Sequence, residues 1–185
     1  MITLVGVEKN FDAQWTKKLK HENHNICLIP PLEVDEHSIF DNPLNKVQKL
    51  HDFYETVFEQ LKTCVDNMMK FKSGTIIFIF EPLIYSGSGK PYTPIKTNSL
   101  YSLMLSLSKE LAAFNIDVFG IVLSFNPENE VQKKLIKSKQ MDIFSLKYRG
   151  IKEEEQLKMI NVLLVNSRIF RGQLISLGSP LTIFR

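Results

Sequence analysis

The sequence predicts an α/β domain built on an open, mostly parallel sheet with helices packed against it. Three observations carry that prediction. Thr75 to Phe80 is a β-branched and aromatic run without polar alternation, the pattern of a strand buried on both faces of a parallel sheet. Val47 to Phe71 repeats apolar residues on two helical stripes. One runs through Leu50, Phe53, Val57, Leu61, Cys64 and Met68 and the other through Tyr54, Phe58, Val65 and Met69, so this helix is covered on two sides. Strand-like and helix-like segments then alternate, which calls for right-handed crossovers between parallel neighbours.

The elements follow in order. Ile2 to Val5 is a short apolar run and reads as a buried strand. Asp12 to Leu19 has helical spacing, with Asp12 as N-cap and Trp15 and Leu19 on one face. Ile26 to Ile29 is a second short strand, stopped by Pro30 and Pro31. Asp35 to Asn42 is charged and aperiodic, hence a loop, and Pro43 suits the opening turn of the long helix. After the strand at Thr75, a helix is expected over Ser99 to Phe114. Leu100, Leu103, Met104, Leu107 and Leu111 form one face of it, and the small Ser99, Ser102, Ser106 and Ala113 another. Asp117 to Leu123 reads as a strand and Glu130 to Met141 as a basic amphipathic helix. Glu153 to Asn166 is a helix with an acidic first turn that suits its macrodipole, and Gly172 to Ser176 is a last strand. No internal repeat or low-complexity linker divides the chain, so residues 1 to 185 are read as a single domain.

Composition narrows the function classes. The apolar content of 44% is enough for a substantial core, and the net charge of +3 is too small to argue for nucleic acid, which wants a concentrated basic face. No run of about 18 uncharged apolar residues is present, so no membrane span is expected. The start Met-Ile-Thr-Leu-Val-Gly lacks the basic flank and cleavage site of a leader, which makes the cytoplasm the expected compartment. The two cysteines, Cys27 and Cys64, stand in apolar surroundings without a partner at metal-ligand spacing and read as buried thiols in a reducing compartment.

Three segments together carry a family resemblance. They are Met68-Met-Lys-Phe-Lys-Ser-Gly-Thr-Ile-Ile77, Tyr92-x-x-x-Lys96, and Ser106-Leu-Ser-Lys-Glu-Leu-Ala112 continuing to Asn115-Ile-Asp-Val118. In order and spacing they resemble the short-chain dehydrogenase/reductase family, and within it the 3-oxoacyl carrier-protein reductase branch. Arg171-Gly-Gln-Leu-Ile-Ser-Leu-Gly178 is similar to that family's terminal strand. The resemblance runs from about Ile26 to Ile183. It implies a Rossmann-like three-layer sandwich, here with the N-terminal cofactor half shortened.

The departures from the family pattern bear on function. Where the family has a glycine-rich pyrophosphate turn, this chain has Gly6-Val-Glu-Lys-Asn-Phe11, with one glycine and a carboxylate at Glu8. Ile26 to Leu32 aligns with the family's fourth strand and Asn-Asn-Ala-Gly motif, so the second and third strands are expected to be absent and Ile29-Pro-Pro-Leu32 replaces the motif. The family's catalytic serine, counted back from Tyr92, falls on Ile79 or Phe80, and neither can donate a hydrogen bond. Its asparagine falls on Phe53. Tyr92 and Lys96 keep the family's mutual spacing, while alignment back from Lys109-Glu110 without a gap puts Thr93 and Thr97 on the catalytic positions instead. Ser86 and Ser88 could replace the lost serine only in a rebuilt loop.

Weaker motifs read as structure. Ser86-Gly-Ser-Gly-Lys90 has Ile84 where a phosphate loop needs its first glycine and Pro91 where it needs a hydroxyl, so it is a turn. His21 and His24 have the wrong spacing for a zinc helix, and His37 and His51 have no ligand partners in sequence. Lys133, Lys134, Lys137, Lys139, Lys147 and Arg149 form a basic cluster, either a solvated helix face or a landing site for an acidic partner such as an acyl carrier protein.

The resemblance implies pairing between subunits through the helices at Val47 to Phe71 and Ser99 to Phe114. The expected interface residues are Phe53, Tyr54, Phe58, Leu61, Val65, Ser99, Ser102, Leu103 and Ser106. The reading is a catalytically inactive partner subunit without a cofactor, bound to an active short-chain reductase in a heterodimer or heterotetramer. The alternatives are a divergent carbonyl reductase using Tyr92 and Lys96, and a homodimeric binding module.

Overall fold

In the computed structural model, the described residues are 2–5, 19, 25–29, 43–80, 94–130, 133 and 150–178. The sheet is assembled from β1 (Ile2–Leu4), β2 (Ile26–Ile29), β3 (Gly74–Phe80), β4 (Ile116–Val122) and β5 (Leu174–Ser176). All neighbours are parallel, and the strands lie side by side in chain order. The long pairing of β3 with β4, Gly74 opposite Ile116 through Phe80 opposite Val122, makes the centre. Every residue of β3 is buried, as its unalternating sequence predicts.

Strand parity sorts the core into two layers. Cys27, Ile29, Ile76, Phe78, Phe80, Val118 and Val122 point to one face. There they meet α1 (Pro43–Phe71) through Val57, Leu61, Cys64 and Met68, and α2 (Pro94–Glu110) through Leu100 and Met104. Ile26, Leu28, Ile77, Ile79, Phe119 and Ile121 point to the other face, where α3 (Glu153–Val165) brings Leu157, Ile160 and Leu164, and Leu19 adds to the layer. The result is the expected three-layer, Rossmann-like sandwich.

Both helices on the first face stop on a left-handed residue that turns the chain into a strand. After α1, Lys72 has φ 48°, and the amides of Lys72 and Ser73 donate to the carbonyls of Met69 and Met68 at 3.2 Å each. After α2, the helix tightens to a 3-10 turn at Leu111–Phe114, and Asn115 takes φ 57°, a conformation asparagine tolerates. Gly120 is closely packed. A Cβ there would lie 2.6 Å from both Leu174 Cδ1 of β5 and Met104 Sδ of α2, so a larger residue would have to displace those side chains between α2 and β4.

One expectation is corrected. The connections from β2 to β3 and from β3 to β4 carry their helices on one face, whereas the connection from β4 to β5 makes the same sideways step with α3 on the opposite face. The last crossover therefore has the opposite hand to the two before it, and the crossovers are not all right-handed. The connection out of β4 is long, and it passes through Phe125, whose carbonyl accepts from Ile151 N at 2.9 Å just ahead of α3. A long excursion relaxes the constraint that binds a short strand-helix-strand unit.

The expected helix over Asp12 to Leu19, apart from Leu19 itself, and the loop over Asp35 to Asn42 lie outside the described residues. So does all of the basic helix over Glu130 to Met141 except Glu130 and Lys133.

Candidate functional site

The C-terminal ends of parallel strands are where α/β sheets of this kind bind ligands, at the point where strand order reverses. Among the described residues no reversal occurs. β1 has β2 as its neighbour in register, Ile2 opposite Ile26 to Leu4 opposite Leu28, and among the described residues no strand pairs with its other edge. Strands on that far side would support the adenosine half of a dinucleotide, so the described residues do not fit that group.

At the end of β3 the positions expected for a catalytic serine hold core side chains. Ile79 packs toward α3 and Phe80 toward α1 and α2, at 2% and 3% exposure. Phe80 also stacks on Phe78, with ring centroids 6.5 Å apart. Phe53, at the asparagine position, is half-buried and meets Tyr54 edge-on at 5.1 Å. Lys96 lies in the first turn of α2. Tyr92, Thr93, Ser86 and Ser88 lie outside the described residues.

The end of β4 is closed by an amide. Gln156 of α3 is buried, and its Oε1 accepts from Ser124 N at 3.0 Å while its Nε2 donates to Ser124 O at 3.0 Å and to Ile151 O at 2.8 Å. The side chain serves as a strand partner for backbone that has left the sheet. At the other end of β4, Asp117 accepts from Arg171 Nε at 2.9 Å and from Ser167 Oγ at 2.6 Å, which fastens the turn before β5. Both polar clusters have structural partners throughout, and neither offers a group aimed at a substrate.

The expected interface residues divide by depth. Phe58 is 50% exposed on the outer side of α1, with Tyr54 beside it at a ring distance of 6.4 Å. Phe53, Tyr54 and Phe58 thus form a continuous aromatic group. Ser99, Ser102 and Ser106 are exposed on α2, and Val65 and Leu103 are half-buried at the rim of the core. Leu61 leaves the set. It is 4% exposed and points into the sheet with Val57 and Cys64, because it lies on the inward stripe of α1. Lys133 is paired with Glu130 at 3.1 Å, and Lys134, Lys137 and Lys139 lie outside the described residues. His51, Asp52 and Glu55 could together face a cation on α1, but all three are exposed and nothing encloses them. Among the described residues no helix is long and apolar enough to cross a membrane.

Sequence reasoning missed one juxtaposition. Cys27 of β2 and Cys64 of α1, expected as buried thiols, are both buried and are hydrogen-bonded to one another. Cys27 S–H donates to Cys64 Sγ, as does the Thr3 hydroxyl from β1, and these donors lower the Cys64 thiol to about 7. Its donor role, and then burial, hold Cys27 well above the usual thiol range. Cys64 on the inward stripe of a helix that packs on β2 was the available signal.

No protein-family model and no curated protein matches this sequence. Solved structures do match. A halohydrin dehalogenase bound to ethyl (2S)-oxiran-2-ylacetate aligns over 86% of this chain and 70% of its own, with a TM-score of 0.54 and 23% identity. A short-chain dehydrogenase/reductase family protein aligns over 82% of this chain and 64% of its own, at TM-score 0.61 and 16% identity. NAD+-bound xylitol dehydrogenase aligns over 83% and 67%, at TM-score 0.56 and 13% identity. The chain therefore spans about two thirds of the length of these relatives, namely 70%, 64% and 67%. What it shares with the short-chain dehydrogenase/reductase proteins is their fold, a parallel sheet between helical layers.

Proposed function

We propose that this protein is a catalytically inactive relative of the short-chain reductases that acts as a partner subunit, stabilising or positioning an active enzyme. The observation that carries the reading is the sheet itself. Its strand order does not reverse among the described residues, which supports a chain without the crevice in which such folds hold a dinucleotide. The burial of Ile79 and Phe80 where the family resemblance puts a serine supports it. Phe58 on the outer side of α1, with Tyr54 beside it, and the exposed serines of α2 are the proposed contact, since small residues let a facing helix approach closely. Binding the folded form of the partner would stabilise it by mass action.

The partner we propose is an active ketoreductase of the 3-oxoacyl carrier-protein reductase type, in a heterodimer or heterotetramer serving a fatty-acid or polyketide-like pathway. The basic segment around Lys133, Lys134, Lys137 and Lys139 is the proposed contact for an acyl carrier protein. Both assignments rest on the sequence resemblance.

Two measurements test this reading. Co-expression with a full-length reductase of that type, followed by affinity purification through a tag on this chain, is expected to bring the reductase down in fixed stoichiometry. A stable homodimer that ignores the reductase would overturn the partner role in favour of a homodimeric module. Titration of NADPH or NADH into the purified chain is expected to show no saturable binding. Micromolar binding would overturn inactivity and favour a carbonyl reductase using Tyr92 and Lys96.

A further inference from the structure

Three helical segments finish at the same end of the sheet. Helices that connect parallel strands run back against them, so α1, the 3-10 turn that closes α2, and the 3-10 turn Ser167–Phe170 after α3 all stop where strands begin. Gly74, which opens β3, lies opposite Ile116, which opens β4. Asn115 Nδ2 donates to Lys72 O at 3.4 Å and joins the first two ends, and Asp117 accepts from Ser167 and Arg171 and joins the third.

Each end shows one large apolar side chain to solvent. Phe71 closes α1 at 72% exposure, Phe114 closes its 3-10 turn at 38%, and Ile169 stands in the last turn at 69%. Phe170 is anchored against Phe119, with ring centroids 6.3 Å apart, and leaves its neighbour Ile169 outside. Exposed cations accompany all three: Lys70 and Lys72 flank Phe71, Lys109 lies in the last turn of α2 before Phe114, and Arg168 precedes Ile169. None of these four is ion-paired among the described residues. Glu110 is the exposed carboxylate beside them, and Asp117 is already matched by Arg171. The far end of α3 carries Glu153, Glu154 and Glu155, so the charge is divided between the two ends. A helix C-terminus favours a nearby cation on its own account, which explains Lys70 and Lys109. It gives no reason for Phe71, Phe114 and Ile169 to be apolar where nothing covers them.

We propose that this end of the sheet docks on an anionic lipid surface. Phe71, Phe114 and Ile169 enter the boundary between headgroups and acyl chains, and the four cations bind the headgroup phosphates and carboxylates. Charge complementarity selects an anionic occupant. The choice of lysine selects a bilayer over an acidic protein, because lysine is depleted from protein interfaces. At a bilayer its stem lies along apolar surface while its ammonium reaches the headgroups. Phe71 and Phe114 make no ring contact with each other, so they enter as separate anchors, which a fluid surface accepts without a matching pocket.

The docking surface is independent of the partner role. The proposed reductase contact uses Phe58 and the serines of α2, none of which belongs to this end, so failure of either reading leaves the other standing.

The test sediments the full chain with vesicles of phosphatidylcholine containing about 30% phosphatidylserine, and with vesicles of phosphatidylcholine alone. The chain is expected to pellet with the anionic vesicles, to stay in solution with the neutral ones, and to be released by about 0.5 M salt. Lys70→Gln, Lys109→Gln and Arg168→Gln should each weaken binding roughly fivefold. Phe71→Ser and Ile169→Ser should each weaken it roughly tenfold. Val162→Ser, at a position 64% exposed on the side of α3, should leave it unchanged. No binding to the anionic vesicles, equal binding to both kinds, or a loss in Val162→Ser as large as in Phe71→Ser would each overturn the proposal. Polyglutamate that strips the chain from vesicles and binds Phe71→Ser as tightly as the wild type would overturn it in favour of an acidic protein partner. If a variant fails to fold, the lipid and salt dependence of the wild type decides alone.

Discussion

The two edges of the sheet are held by different chemistry. At the β4–β5 edge the contacts are polar and directional. Asp117 ties Arg171 and Ser167 to the start of β4, Gly172 N donates to Val118 O at 2.7 Å, and Gln156 closes the strand's far end. At the β1–β2 edge two short strands pair through apolar side chains, and the polar contacts are the backbone ladder, Val5 N to Leu28 O at 2.9 Å, and the Thr3–Cys64–Cys27 group. The family-like terminal segment from Arg171 falls on the first edge, and the departures at Gly6 to Phe11 and Ile29 to Leu32 flank the strands of the second. Asp117, Gly172 and Arg171, all in segments that resemble the family, make structural contacts here.

That contrast can be tested from its strongest contact downward. Gln156→Leu keeps volume but removes three hydrogen bonds from buried or half-buried backbone. It is expected to cost about 3 kcal/mol, read as a lower midpoint in urea denaturation. Asp117→Ala strands the partly buried Arg171, whose side chain is 24% exposed. The expected loss is about 2 kcal/mol after discounting for solvent, and high salt should shrink it little if the pair is as enclosed as its geometry says. A loss below a few tenths would erase the distinction between the edges.

At the other edge, Thr3→Val should cost only about 0.5–1 kcal/mol while raising the Cys64 pKa, because one donor to its thiolate is gone. The alkylation rate of Cys64 against pH, measured with a small reagent, reads that shift. The sign also sets a stability trend. A folded thiol lowered to about 7 contributes stability that grows as pH rises from there toward the ordinary thiol value, and Thr3→Val should flatten that rise. Last, Phe58→Asp lies on the surface and should change stability by less than about 0.5 kcal/mol. The same substitution should abolish co-purification with a reductase. Unchanged co-purification would move the proposed contact away from α1.

The centre of the fold was legible residue by residue. The uniform apolar run of β3, the double stripe of α1 and the acidic start of α3 each follow from local periodicity, and each element lies where its pattern put it. The stripes of α1 also separated Leu61 from Phe58, but not which of the two the sheet would cover. Side-chain depth depends on what the sheet presents to the helix.

By itself the sequence determined the element types, the parallel sheet, and the apolar character of Ile79, Phe80 and Phe53, because these depend on residue identity and local spacing. Only the tertiary structure decided the hand of the last crossover, the pairing of Cys27 with Cys64, and the use of Gln156 as a substitute strand. Each of these joins residues far apart in the chain. Local pattern carries no information on which distant backbone or sulfur a side chain will meet once the layers close.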